Sequence, residues 1–177
     1  HYSHEQRGGM IVVGPDGGRF TDEKYHTRHG RMRANGRWYR LPAPCPMFMV
    51  FDHALFTCGP LYDMKPVSGW GRIMERYEWS RDNRAELQRG WIKRGDTLSA
   101  LAAVIGLNPR ALEESVARWN RNCEAKADAD FGRRKMLIPI VQAPFYAGEL
   151  SPSMLNTQGG RRRNERGQFV RPDGSPI

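Results

Sequence analysis

The sequence predicts an α+β fold, in which strands flank a pair of helices in the second half. Three observations lead to this class: the apolar runs Met10–Val13 and Met47–Phe51, the helical spacing of apolar residues between Leu98 and Cys123, and the aromatic segment Phe145–Tyr146. At 177 residues, with 39% hydrophobic and 27% charged residues, the chain can bury a real core in one domain. We therefore expect a small mixed sheet.

The first strands are predicted by short apolar runs beside turn residues. Met10–Val13 precedes the turn Gly14–Gly18 and then Arg19–Phe20, the pattern of a β-hairpin. Met47–Phe51 is continuously apolar, which is typical of a buried strand. Asp52 should then begin a short helix or turn.

The middle of the chain mixes aromatic and charged residues. Ser80–Asn83 can cap a helix that continues through Gln88. Trp91–Lys93 predicts a short strand, and Leu137–Ile138 together with Phe145–Tyr146 predicts a return to strand structure.

Two later helices have clear start and stop signals. Asp96 or Thr97 can cap the first, and Gly106 ends it. Asn108 caps the second, with Pro109 in its first turn. The apolar stripe of the second helix predicts core packing; its members are Leu112, Val116, Trp119 and Cys123.

The chain is strongly basic, with 28 Lys and Arg against 19 acidic residues, a formal charge of +9 and a pI near 9.9. One hypothesis is a nucleic-acid-binding module that uses Arg161–Arg163, the arginines around His29, and Trp38, Trp70 or Trp79 for stacking. The arginines are mostly scattered, however, so an anionic small molecule or an acidic neighbouring domain explains the charge equally well.

Cysteine usage and the termini predict a cytoplasmic protein. Cys45, Cys58 and Cys123 form no CxxC pair, and an odd number argues against a disulfide framework. The first residues, His1–Glu5, do not form a signal peptide, and no apolar run reaches the roughly 20 residues of a membrane-spanning helix. The missing initiator Met suggests a fragment or a processed product.

Asn156–Gly160 joins two amides and a hydroxyl to paired glycines. Paired glycines let a backbone approach a flat ligand closely, and the polar side chains offer donors and acceptors. A catalytic or cofactor-facing loop needs this combination, but a glycine-rich hairpin has it too. Both interpretations stay open from these residues alone.

Several segments, taken in order, resemble the FAD-dependent fumarate reductase/succinate dehydrogenase flavoproteins, which include the 3-ketosteroid dehydrogenases. The similarity extends from about Gly8 to Ile177. The segments are GGMIVVGPDGGRFTDE, MFMVFD, the helical region DTLSALAAVIGLNPRALEESVARWNRNCEAKADADFGR, APFYAGELSPSMLNTQGG and PDGSPI.

The resemblance implies a capping, substrate-binding domain at residues 1–150 and, at 151–177, a segment returning to an FAD-binding domain. The chain lacks a GxGxxG motif after a strand, so the usual cradle for the flavin phosphates is missing from it. FAD and a small-molecule substrate are the implied partners, with no membrane and no metal. Hydride would pass between substrate and flavin in the whole protein, and these 177 residues alone should be inactive.

The resemblance also suggests proton-handling residues. Glu23 lies in the segment that family members use near the substrate, with Asp22 where asparagine is usual. A carboxylate beside a guanidinium can relay protons, so Glu23 and Arg28 are candidates. The alternative is a surface ion pair worth under about 1 kcal/mol.

The second set of candidates is the segment that resembles the family's HTMGG sequence. Asn156 replaces a histidine that grips a substrate carboxylate in fumarate reductases, which argues against fumarate and favours a larger carbonyl or enone substrate. Thr157, Gln158, Gly159 and Gly160 complete the predicted contacts, and Tyr146 is a candidate general acid or stacking wall.

Other motifs predict no chemistry. His26 and His29 have metal-ligand spacing but no evident third ligand. Cys45 and Cys58 have no neighbouring base to activate a thiolate.

Overall fold

The structure, a computed structural model, describes residues 8–24, 31–34, 37–40, 43–61, 78–151 and 162–177. Six strands lie within these ranges: β1 Met10–Val13, β2 Arg31–Ala34, β3 Arg37–Arg40, β4 Met47–Phe51, β5 Ile92–Gly95 and β6 Phe145–Leu150. β1, β4, β6 and β5 form one sheet in that order, and every pair in it is antiparallel. β2 and β3 form a separate antiparallel hairpin. The predicted α+β class and small sheet are confirmed.

The helices are α1 His53–Phe56, α2 Arg84–Gln88, α3 Leu98–Ile105 and α4 Pro109–Glu124. Their caps follow the sequence signals. Thr97 accepts a hydrogen bond from the Ala100 N–H, Asn108 accepts from the Arg110 and Ala111 N–H groups, and Gly106 takes the left-handed conformation that ends α3.

Side-chain alternation along the strands builds a core on each face of the sheet. On one face Phe48 and Val50 of β4 pack with α3 and α4, where the predicted stripe is buried. On the other face Met49 and Phe51 pack with residues of α1 and with Tyr146 of β6. β4, which is buried from Phe48 to Phe51, therefore has a continuous apolar sequence, as predicted.

Asn83 corrects the predicted cap of α2. It occupies the N-cap position but makes no side-chain cap bond. Its amide instead donates to the carbonyls of Phe56 and Gly59, while its Oδ1 accepts from the Leu61 N–H and the Trp79 indole. This buried amide ties the chain after α1 to the start of α2, so it is unavailable for capping.

Two predicted strand features need correction, and one hairpin was not predicted. Val13 meets Arg19 only in an isolated bridge, because β1 pairs along its length with β4. Leu137–Ile138 is not a strand, and the Ile138 carbonyl instead accepts from the Trp119 indole at 2.9 Å. The β2–β3 hairpin was missed because its arginine-rich strands lack the usual apolar alternation.

The described residues contain no helix with the length and apolar character needed to cross a membrane. Near the end of the chain, residues Pro172–Gly174 form a turn, across which the Arg171 N–H donates to the Ser175 carbonyl at 2.8 Å. Val170 and Pro176, on either side of this turn, form an isolated antiparallel bridge.

Candidate functional site

Tyr146 lies within a group of four rings, here called the aromatic cluster: Phe51, His53, Phe56 and Tyr146. The Tyr146 and Phe56 rings stack almost in parallel, with centroids 4.2 Å apart and planes 5° apart. Phe51, its cross-strand partner on β4, lies 5.7 Å away, and the His53 ring lies 6.1 Å away. Tyr146 is only 3% exposed, so its ring position is fixed by packing.

His53 provides the polar contact of this cluster. Its Nδ1 lies 3.1 Å from the Tyr146 hydroxyl, and the backbone N–H of His53 donates to the Gln142 carbonyl at 2.9 Å. Asp52 caps α1 by accepting from the Leu55 N–H at 3.2 Å, and it also accepts from the N–H groups of Val141 and Gln142. The first turn of α1 is therefore tied to the chain just before β6, which places His53 against Tyr146.

Burial raises the pKa of Tyr146, because desolvation disfavours the phenolate. Arg94, its cross-strand partner on β5, partly offsets this through its charge and a hydrogen bond, while Asp96 adds a small opposing effect. Arg94 is in turn held by Asp96, with Nη2 2.5 Å from Oδ1. The Tyr146 hydroxyl is thus protonated at neutral pH and can donate or accept a hydrogen bond.

A second polar group, the Arg19 network, joins Arg19, Glu23, Asp128 and Arg133 at the edge strand β1. The Arg19 guanidinium donates to both oxygens of Glu23 at 3.0 Å, and to both oxygens of Asp128 at 3.2 and 3.1 Å. The guanidinium carbons of Arg19 and Arg133 lie 4.6 and 4.5 Å from the ring centre of the buried Trp119.

Glu23 is fully engaged in this network. Its Oε1 accepts from the Val12 N–H at 3.0 Å, and its Oε2 accepts from Arg133 at 3.1 Å, while its side chain is 1% exposed. Arg133 also donates to the Met10 carbonyl at 2.9 Å. The network thereby satisfies backbone groups that β1, as an edge strand, presents away from the sheet. This geometry favours a structural role for Glu23, and its relay role stays a prediction.

The charges in the network hold each other's ionised forms. Burial alone would raise the pKa of Asp128, but hydrogen bonds from Arg19 and from the Arg133 N–H lower it below its usual 3.8. Burial lowers the pKa of Arg19, and its bonds to Glu23 and Asp128 more than reverse this effect. Burial also lowers the pKa of Arg133, and Glu23 only partly compensates. The Asp128 carboxylate therefore stays charged at neutral pH.

A small apolar hollow with a cavity volume of about 20 Å³, room for about one water molecule, opens on the same face of the sheet as the aromatic cluster. Its lining contains three methionine side chains and a single charged residue, Lys24, which follows Glu23 in the sequence. The full lining is Gly8, Met10, Lys24, Met49, Leu55, Leu61 and Met136.

Of the predicted site residues, Glu23 and Tyr146 lie in the described ranges, in the Arg19 network and the aromatic cluster respectively. Arg28 and Asn156–Gly160 lie outside the described residues, as do His26 and His29. In the part of the chain that is described, no three His, Cys, Asp or Glu side chains group as metal ligands.

Sequence reasoning missed His53 and Arg94. A histidine directly after a capping aspartate, where a buried strand ends, was the available signal for His53. Arg94 could be identified only from the register that pairs it with Tyr146. Burial raises the pKa of Cys123 to about 11, which disfavours a thiolate at that position.

The family model described as FAD binding domain matches residues 3–177. The chain belongs to this FAD-binding family. FAD is the family's cofactor, and the membership of the flavoprotein family inferred from the sequence is confirmed.

Curated relatives of the family include reductases and dehydrogenases. The digoxin reductase of Eggerthella lenta is 43% identical over 82 residues, which cover 46% of this chain and 15% of the relative. The 3-oxosteroid 1-dehydrogenase of Mycolicibacterium smegmatis is 27% identical over 194 residues, covering 96% of this chain and 31% of the relative. The chain thus spans less than a third of the length of these relatives. Neither is a nucleic-acid-binding protein by name, so the nucleic-acid hypothesis gains no support.

Two solved structures share the fold of the chain. The 3-ketosteroid delta1-dehydrogenase of Sterolibacterium denitrificans, in complex with 1,4-androstadiene-3,17-dione, has a TM-score of 0.61 at 23% identity. The open conformation of a flavocytochrome c3 fumarate reductase has a TM-score of 0.59 at 22% identity. Each match covers 96% of this chain, and 31% and 25% of the respective solved chains.

Proposed function

We propose that this chain is the substrate-binding cap of an FAD-dependent oxidoreductase that acts on a carbon–carbon bond beside a carbonyl group. Residues 1–150 form the cap in this proposal, and residues 151–177 lead back to the part of the protein that holds the cofactor. Family membership supplies the cofactor and the reaction class.

The main support for a cap is the antiparallel sheet. A dinucleotide-binding fold uses parallel strands and a glycine-rich turn that brings the backbone close to the pyrophosphate. Every strand pair in the described sheet is antiparallel. A Cβ added at Gly8, Gly9 or Gly95 would lie within 2.4 Å of other backbone atoms of this chain, so internal packing explains these glycines.

The described residues therefore do not fit the phosphates of FAD. The aromatic cluster and the methionine-lined hollow instead form a largely buried apolar layer on one face of the sheet, in which His53, Lys24 and Met136 are partly exposed. An apolar lining favours a largely uncharged substrate, such as an enone, over a small dicarboxylate. Tyr146 would bound that substrate, while Asn156, Thr157 and Gln158 would contact its polar end beside Gly159 and Gly160.

Glu23 and Arg28 remain the proposed proton-handling pair. Arg19 and Arg133 both donate to the Glu23 carboxylate, so a proton relay through it would require a change in these hydrogen bonds. Its contribution is therefore tested separately from that of residues 156–160.

The proposal is tested with the full-length protein that contains these residues. We expect it to purify with bound oxidised flavin and, once reduced, to be reoxidised faster by 4-androstene-3,17-dione than by fumarate. Asn156→Ala should lower kcat/KM about tenfold, equivalent to one lost hydrogen bond, while the flavin content stays the same.

Asn156→His provides the matched comparison, since it restores a cationic side chain and should shift preference toward fumarate. A full-length protein that binds no FAD would overturn the oxidoreductase assignment. Loss of FAD in Asn156→Ala would instead indicate that residues 156–160 hold the cofactor.

A further inference from the structure

We propose that His53 donates a hydrogen bond from Nε2 to a carbonyl or carboxylate oxygen of the ligand, and that Tyr146 holds the imidazole in the tautomer that can do so. The tautomer depends only on the described contacts, whereas the ligand-facing role rests on the proposed function. Neither His53 nor its pairing with Tyr146 emerged from the sequence.

The direction of the hydrogen bond between His53 and Tyr146 follows from the burial of the phenol. The Tyr146 hydroxyl is protonated and only 3% exposed, so its proton needs an acceptor within the protein. Among the described residues, the acceptor within its reach is His53 Nδ1, 3.1 Å away. A neutral imidazole that accepts at Nδ1 carries its proton on Nε2.

The imidazole is also held in place. Its ring stacks with Phe56 and Tyr146 at centroid distances of 6.2 and 6.1 Å, and its backbone N–H is bonded to the Gln142 carbonyl. A donor whose position is fixed before binding loses little conformational entropy when a ligand arrives.

Exposure identifies His53 as the member of the cluster that can meet a ligand. Phe51, Phe56 and Tyr146 are 0%, 7% and 3% exposed, whereas His53 is partly exposed. Nδ1 is occupied by Tyr146, and no described residue bonds to Nε2. A group approaching this edge of the cluster therefore meets Nε2–H first.

The chemistry of the donor limits the ligand. A neutral N–H beside stacked rings suits an oxygen acceptor attached to an apolar skeleton. The conjugated carbonyl of an enone has this form, and so does an unsaturated monocarboxylate.

Three variants of the FAD-loaded full-length protein separate ligand contact from packing, with 4-androstene-3,17-dione as the probe. His53→Phe keeps the stacking and removes both nitrogens, so KM should rise about tenfold with a smaller change in kcat. His53→Gln places an amide N–H near the position of Nε2 and should recover most of the lost affinity. His53→Asn reaches only the position of Nδ1 and should behave like His53→Phe.

The opposite order, with asparagine restoring KM and glutamine failing, would show that His53 only supports Tyr146. Unchanged KM in all three variants of an active enzyme would overturn the ligand-facing role while leaving the proposed function intact.

The positioning role has a spectroscopic test that needs no turnover. In protein labelled with 15N-histidine, His53, assigned by its loss in His53→Gln, should show the Nε2–H tautomer. Tyr146→Phe should shift it toward the Nδ1–H form. An unchanged tautomer would refute the positioning role, even if the protein reduces none of the probes and the proposed function fails.

Discussion

The Arg19 network lies at the edge strand β1, whereas the aromatic cluster lies over the central strands β4 and β6, and the two treat polar groups in different ways. At β1, two guanidiniums and two carboxylates satisfy one another and the backbone of the edge strand. Over β4 and β6, Tyr146 and His53 share one hydrogen bond among stacked rings, and no described residue bonds to the second nitrogen of the partly exposed imidazole.

The difference shows how a polar residue with a structural role can be distinguished from one with a ligand-binding role. When every charge of a buried network is compensated within the fold, no ligand is needed to account for that network. A fixed donor with unused hydrogen-bonding capacity beside apolar side chains can bond a ligand. By this criterion the fold accounts for the contacts of Glu23, whose relay role stays a prediction, while His53 is proposed for the candidate site.

Glu23→Ala should have the largest effect on stability. Removing this carboxylate leaves Arg133 and part of Arg19 uncompensated in the core, which costs about 3–5 kcal/mol for a buried pair. Urea unfolding followed by tryptophan fluorescence measures the loss. The matched control, Arg84→Ala, breaks the exposed pair with Asp82 and should change stability by less than about 0.5 kcal/mol.

The same position tests the relay role. Glu23→Gln with wild-type stability but without turnover would favour a proton-relay role for Glu23 over a structural one. The contrast drawn between the Arg19 network and the aromatic cluster would then be wrong for Glu23. A parallel loss of stability and activity would support the structural role.

Gly95→Ala should have the next largest effect, because it disturbs the strand from which Arg94 faces Tyr146. A Cβ at Gly95 would lie 2.3 Å from the Leu101 backbone nitrogen of α3, and overpacking of this kind costs about 1–3 kcal/mol. Gly148→Ala on the neighbouring β6 is the matched control, since its Cβ meets nothing within 4 Å. Equal melting temperatures for the two variants would contradict the close packing of β5 against α3.

The elements that could be predicted from sequence are those specified by local chemistry. Thr97, Gly106 and Asn108 mark helix ends through hydrogen bonds and backbone conformation within a few residues, and all three were correct. The β4 strand was predictable because burial on both faces leaves a continuous apolar run.

What sequence could not supply was long-range pairing. Arg19 and Asp128 are separated by 109 positions, and nothing local indicates that they form a bidentate ion pair. The contact between His53 and Tyr146 likewise depends on how β4 and β6 align. Asn83 looked like a cap from sequence because its role depends on the chain after α1.

Tyr146→Phe should have a smaller effect on stability at neutral pH, about 1 kcal/mol, because it removes one hydrogen bond and keeps the ring stacking. Its pH dependence is more informative. The folded state raises the pKa of Tyr146 above 10.0, so its contribution is present below that pH and is lost as the pH rises through the folded-state pKa. Wild-type stability should therefore fall more steeply than that of the variant above about pH 10. Identical alkaline slopes would contradict a buried, neutral phenol.

Asp96→Asn should have the smallest effect on the free energy of unfolding. It tests how the exposed charge of Asp96 changes the pKa of Tyr146 in the aromatic cluster. Asp96 is exposed and its pair with Arg94 contributes under about 1 kcal/mol, so the free energy of unfolding should hardly change. Its negative charge nevertheless disfavours the Tyr146 phenolate, and removing it should lower the pKa of Tyr146 slightly. Ultraviolet titration of tyrosinate, with Tyr146→Phe subtracted, measures that shift. A rise in the pKa would mean that Arg94 needs Asp96 to stay beside the hydroxyl, which would make this exposed pair a support for the His53 tautomer.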